Sequence, residues 1–158
     1  MNDQTPRAPR RAGKRSVPRT LGRIALGLAL AFAGTSHLTV ARNEFQAQVP
    51  AWVPVSPDLV VLGSGAVEIT LGVALLAASK RRVLVGLAVA AFFIAIFPGN
   101  ISQYVTRTDA FGLSTDRDRF LRLFFQPVLV VWALWATGAW TAIVQARRRR
   151  GDRVTGEV

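Results

Sequence analysis

The chain has 158 residues, enough for one domain and too few for two of ordinary size, and it combines 51% hydrophobic residues with a net charge of +11. With no cysteine and a single histidine, a disulfide framework, a thiol relay, a zinc-thiolate site and an iron-sulfur cluster are excluded, and a transition-metal site is short of ligands. High charge and high hydropathy coexist because they are segregated: basic residues crowd the two ends, and four apolar blocks lie between them.

Residues 1–20 carry Pro6, Pro9 and Pro18 among basic residues with almost no large apolar side chain. Such a segment cannot bury enough surface to offset ordering entropy, so the expectation is a disordered basic cytoplasmic tail. The first apolar block covers about residues 21–41, long enough at about 1.5 Å per residue to cross a hydrocarbon core of about 30 Å. Gly27, Ala31 and Gly34 recur at helical spacing, which favours a helix that stays in the bilayer and packs on its neighbours over a cleaved secretory signal. His37 continues the stripe of Gly34 and Ala41 and points inward, as a functional group or as an interfacial anchor.

Val49, Pro50, Ala51, Trp52, Val53, Pro54 and Pro57 follow, too rich in proline for a regular helix, and read as a stiff loop with Trp52 at the headgroup level. The second block, about 59–79, holds Glu68 near its middle, where an acidic side chain costs roughly 2.5–3.5 kcal/mol on insertion scales. Ser64, Gly65, Leu71 and Gly72 share its helical face, so Glu68 faces the bundle interior, either as interhelical glue or as a ligand or proton site. There it must be protonated or bonded to an interior partner, and His37 is the nearest ionisable one.

The third block, about 83–104, follows Lys80, Arg81 and Arg82 and ends in Phe97, Pro98, Gly99, Asn100 and Ile101, with Gln103 and Tyr104 beyond. Proline removes a donor, so the helix is kinked or broken at Pro98, or stops there. After Phe111, Gly112 and Leu113, either Ser114 or Thr115 stands before acidic residues as a helix N-cap. The fourth helix therefore starts ahead of its apolar block, about 120–144, with Asp118 spaced to pair with Arg122. Gln126 and Pro127 repeat the polar-and-proline pattern, and Ala133, Thr137 and Thr141 continue a small stripe below them. Trp132, Trp135 and Trp140 read as packing or lipid-facing bulk, and residues 146–158 as a second basic cytoplasmic tail.

Placing both ends and the Lys80, Arg81, Arg82 turn on one side collects fifteen of the twenty basic residues there. By the positive-inside rule that side is cytoplasmic. The predicted fold class is thus all-α, an integral membrane four-helix bundle over residues 21–145 with N-terminus and C-terminus cytoplasmic, multi-pass in a cell membrane. Counted inward, His37, Asn100 and Gln126 lie within about 10 Å of the outer boundary and Glu68 somewhat deeper. Together with Ser64, Tyr104 and Trp52 they form a candidate ligand site in the outer half of the bundle. Topology accounts for the basic residues and no recognition fold accompanies them, so nucleic acid is not an expected partner.

At these residues the chain resembles the DoxX family of small four-helix bacterial membrane proteins. The matching segments are Gly34-x-x-His37, Val49-Pro50-x-Trp52-x-Pro54, Ser64-Gly65-x-x-Glu68 with Gly72, Phe97-Pro98-Gly99-Asn100-Ile101, and Arg122-Leu123 through Gln126, spread over residues 21–140. Leu38, Gly99 and a longer stretch between His37 and Pro50 set it apart from the usual pattern. The resemblance implies an inner-membrane protein with relatives in quinone-linked redox systems, among them a thiosulfate:quinone oxidoreductase subunit. The leading expectation is an accessory or subunit of such a system, with a quinone or similar amphipathic molecule at His37, Glu68, Asn100 and Gln126, and a redox partner protein or a second copy of the chain beside it. A proton-coupled binding or transport component, and a structural membrane partner, stay open as alternatives, as does whether the chain catalyses a reaction.

Overall fold

The computed structural model describes residues 16–155, which form six helices and, among the described residues, no strand. The helices are α1 (Val17–Leu38), α2 (Arg42–Gln46), α3 (Pro57–Ala77), α4 (Arg82–Thr106), α5 (Asp116–Thr137) and α6 (Ala139–Thr155). Four of them, α1, α3, α4 and α5, are long and apolar enough to cross a membrane.

α1 begins four residues earlier than the expected start at 21, because Pro18 falls in its first turn, where a fixed φ suits the helix and the missing N–H is no loss. Val17–Thr20 therefore belong to a helix rather than to the tail, whose residues 1–15 lie outside the described residues. α3 starts at Pro57 behind Ser56, whose side chain accepts from the Leu59 amide. α5 starts behind Thr115, whose Oγ1 accepts from the Asp118 amide at 3.2 Å, with Asp116 and Asp118 in the first turn against the positive end of the helix dipole.

The fourth helix departs from the expected 120–144. It ends at Thr137, because Gly138 takes the left-handed conformation (φ 77°) that commonly terminates helices, and α6 starts afresh beyond it. α6 carries the helix through Arg147, Arg148, Arg149 and Arg150 to Thr155, so the expected second tail is helical over most of its length. Arginine is a good helix former, and a run of it extends a helix already nucleated by Ala139 to Gln145. α4 runs unbroken through Pro98 to Thr106, so it does not stop at the proline, and α5 likewise passes through Pro127. A single missing amide costs each helix one bond, which tertiary packing tolerates. The short helix α2 has no counterpart in the sequence reading. It is fastened by Arg42, bidentate on Asp58 at 2.7 and 2.6 Å, and by Gln46, which donates to the same carboxylate.

The closest packing joins α1 to α3. A Cβ on Gly34 would meet the Gly65 carbonyl oxygen at 2.5 Å and the Glu68 Cβ at 2.9 Å, and one on Gly72 would meet the Gly27 oxygen at 2.7 Å. Small residues on both faces let the backbones touch, as the spacing of Gly27, Gly34, Gly65 and Gly72 implies. α4 packs extensively on α5, α1 also meets α5, and α3 touches α4 only lightly. Leu26, Leu30, Leu75, Val89, Ala90, Phe93 and Ala133 form the core. Neither diagonal pair, α3 with α5 or α1 with α4, makes close backbone contact, and a space enclosed by the four long helices is left open.

Gly34→Ala should lower stability by about 1–3 kcal/mol, the usual cost of overpacking, since the new methyl meets backbone and Glu68. Gly63→Ala, where a Cβ meets nothing within 4 Å, should be neutral or stabilising. Thermal unfolding of the two variants in mild detergent compares them directly, and equal melting temperatures would refute the close-contact account.

Candidate functional site

The open space is a cavity of about 570 Å³ lined by α1, α3, α4, α5 and the connection that follows α2, within the roughly 300–1,000 Å³ usual for small-molecule sites. Its walls are largely apolar, from Leu30 and Val61 to Ile96, Leu129 and Trp132, and its polar groups are concentrated on a few side chains.

The glycine contact between α1 and α3 sets the first polar group. His37 lies at the end of α1 directly over Gly65, whose absent side chain leaves room for it, and Glu68 follows one turn along α3. His37 Nδ1 stands 3.1 Å from Glu68 Oε2, with both side chains at most 7% exposed. The approach is misaligned for a hydrogen bond. His37 Nδ1, His37 Nε2 and Glu68 Oε2 are all buried without a hydrogen-bond partner, although buried polar atoms normally have one. Phe45, from α2, stands edge-on to the imidazole.

The second polar group comes from α4 and α5. Asn100 Nδ2 donates to Gln126 Oε1 at 2.9 Å, and Gln126 Nε2 donates to the Phe93 carbonyl at 2.6 Å. Gln126 is thus a buried clasp between α5 and α4. Arg122, one turn toward the start of α5, donates from Nε to Asn100 Oδ1 at 3.4 Å and from Nη2 to Gln48 Oε1 at 3.3 Å, and its guanidinium lies 4.6 Å over the Phe111 ring. The expected Asp118–Arg122 pair does not form, because Asp118 accepts from the Thr115 hydroxyl at 2.6 Å while Arg122 turns into the cavity.

Of the residues singled out from sequence, His37, Glu68, Asn100, Gln126, Ser64 and Trp52 all line this cavity. The Ser64 hydroxyl donates to the Val61 carbonyl of its own helix, and Trp52 is 73% exposed at the rim. Tyr104 is not among the lining residues; its ring lies tilted against Phe120. Sequence reasoning missed Gln48, Gln103 and Arg122 as participants. Gln103 is 1% exposed, accepts from Gln48 Nε2 at 2.6 Å and donates to the Thr108 and Ala110 carbonyls, so it ties both connections at this end to α4. A glutamine on the inward stripe three residues after Asn100 was the available signal. Arg122 entered the sequence reading as an ion-pair partner for Asp118 and as part of the DoxX-like segment, not as a residue of the site. Among the described residues no three His, Asp or Glu side chains gather as a metal site.

These features define a class: a helical protein with four membrane-length apolar helices around one cavity that buries an unsatisfied His-Glu dyad. The chain belongs to the family described as a domain of unknown function (DUF8561), whose model matches residues 26–137. No curated protein and no solved structure matches it.

Gln103→Leu should cost about 1–3 kcal/mol by leaving buried amide and carbonyl partners unpaired. Hydrogen exchange should rise in residues 47–53 and 108–111 while the first half of α4 stays protected. Unchanged exchange in both connections would show that Gln103 does not hold them.

Proposed function

We propose that this chain is a multi-pass protein of the cell membrane, with the start of α1, the α3–α4 turn and α6 on the cytoplasmic side, and that its cavity binds a small amphipathic molecule. Arg19, Lys80, Arg81, Arg82 and the α6 arginines lie at one end of the antiparallel helices. That arrangement supports the orientation through the positive-inside rule. At the same end Arg23 donates to the carbonyls of Leu75, Leu76 and Ala78, where a cation complements the C-terminus of α3. The cavity opens in the opposite, outer half.

The observation that carries the ligand reading is the buried dyad with three unsatisfied polar atoms in an apolar cavity. A quinone suits such a site. Its carbonyl oxygens accept hydrogen bonds, its ring and tail match the apolar walls, and its two-electron reduction takes up two protons that a His-Glu pair can relay. The electrons would come from a partner protein, since the chain holds no cysteine for a thiol relay or cluster. On this reading the protein is an accessory or subunit of a quinone-linked redox system related to DoxX proteins. The same dyad supports a second reading, proton-coupled binding or transport without redox chemistry, because an intramembrane carboxyl beside a histidine is also how proton relays are built.

Reporter fusions at position 10, near Arg81 and at the C-terminus should report cytoplasm, and fusions near Trp52 and Gly112 the exterior; an exterior signal near Arg81 would overturn the orientation. For the site, Glu68→Gln should melt within a few degrees of the parent yet bind decylubiquinone about tenfold more weakly, because an amide cannot give up or take back a proton. Glu68→Leu should lose binding as well. Decylubiquinone binding that is unchanged in the folded Gln variant would remove the proton role, and its absence in the parent would remove the quinone.

A further inference from the structure

Arg122 has no carboxylate partner. On the same side of the bundle Arg42 meets Asp58, Arg107 meets Asp116, and Arg119 meets both Asp109 and Asp116, while Arg117 is exposed to solvent. Arg122 alone is drawn into the cavity, held by two long hydrogen bonds to the neutral side-chain oxygens of Asn100 and Gln48 and by the face of Phe111. Its Nη1 makes no hydrogen bond among the described residues. An arginine at this depth ordinarily extends its head to water along the bilayer surface; here two amides and an aromatic ring hold it inward.

No carboxylate therefore faces the guanidinium inside the cavity. The one acid that lines it, Glu68, is 3.1 Å from His37 rather than within ion-pair distance of Arg122. The guanidinium is left as a cation whose partners among the described residues are all neutral. We propose that the cavity takes an amphipathic anion, its carboxylate or phosphate head on Arg122 and its apolar body along Leu30, Ile96, Phe125, Leu129 and Trp132. A guanidinium presents a planar fork that matches both heads, and the apolar walls suit a hydrocarbon body. This rests on reading the cavity as a ligand site and gives that ligand a charge, which a neutral quinone lacks.

The test is binding of four twelve-carbon probes, dodecanoate, dodecyl phosphate, dodecanol and dodecylammonium, and of decylubiquinone, to the full chain in a non-ionic detergent, read by native mass spectrometry. The parent should bind at least one of the two anions tenfold or more tighter than dodecanol and dodecylammonium. The stronger of the two identifies a fatty-acid-like or a phospholipid-like head. Arg122→Gln should abolish that preference and Arg122→Lys should restore part of it, with melting temperatures reporting the fold. The comparison of anion with cation in the parent needs no variant. Dodecanol or dodecylammonium bound as tightly as the anions would overturn the proposal, as would an undiminished preference in a folded Arg122→Gln variant. Decylubiquinone bound where neither anion binds would overturn it while leaving the quinone reading intact. Anion binding without decylubiquinone would support it and retire the quinone.

Discussion

The backbone contact between α1 and α3 is the constraint from which the site follows. With glycine at 27, 34, 65 and 72, the two helices approach until a carbonyl of one occupies the space where a side chain of the other would be. Close approach brings dispersion contacts and puts polar groups from both helices within reach of each other. His37 and Glu68 are adjacent for this reason alone. Each is on a different helix, neither is held by a hydrogen bond, and one methyl group at Gly34 or Gly65 would press on one of them. The same contact bounds the cavity on one side, because α1 packs on α3 and on α5 but not on α4, leaving space among the four long helices unfilled.

The opposite pair, α4 and α5, is joined by polar rather than steric means. Gln126 bridges to Asn100 and to the Phe93 carbonyl, and Arg119, 5% exposed, gathers Asp109, Asp116 and the Ser114 carbonyl under the connection between the helices. Gln48 and Gln103 then bind the α1–α3 connection to this half. The two halves thus meet through amides at the end where the α1–α3 and α4–α5 connections lie, and through apolar side chains and the Trp132 bond to the Gly22 carbonyl toward the other. The polar groups of the cavity are gathered at the amide end, where the dyad alone is left without partners.

Much of this was legible in the sequence, and the part that was not has a physical cause. The four membrane-length helices and their approximate limits followed from apolar run length, and the inward faces of α1 and α3 followed from glycine spacing, because both signals are local. The cap at Thr115 was equally readable. Gly138 lies within an apolar run whose hydropathy masks a helix stop, since hydropathy carries no information about φ; the break between α5 and α6 was therefore invisible to a span-length argument. Pro98 misled in the other direction, as a local rule against proline yielded to packing. Gln48, Gln103 and Arg122 come from three segments separated by up to 74 residues, and no periodicity relates them. Arg122 in particular was accounted for as a loop charge with Asp118 as its neighbour, an assignment that fails because Asp118 is already engaged by the cap.

The matched family segment has a bearing on where the activity resides. It runs from residue 26 to residue 137, and the residues that line the cavity run from Leu26 to Trp132. The whole cavity wall therefore falls inside the segment that defines the family, whereas α6 with its arginines, and the basic residues before Leu26, fall outside it. Charge at those ends is well suited to orienting the helices, a task that needs a count of cations and no particular geometry. The cavity differs in kind. Its dyad requires two backbones in contact, its amide clasp requires a registered pair of helices, and its one arginine, with no carboxylate partner, is held by an aromatic ring and two amides. Features that depend on geometry rather than on composition are where a specific ligand would be recognised, so the search for this protein's activity belongs at the cavity enclosed by α1, α3, α4 and α5.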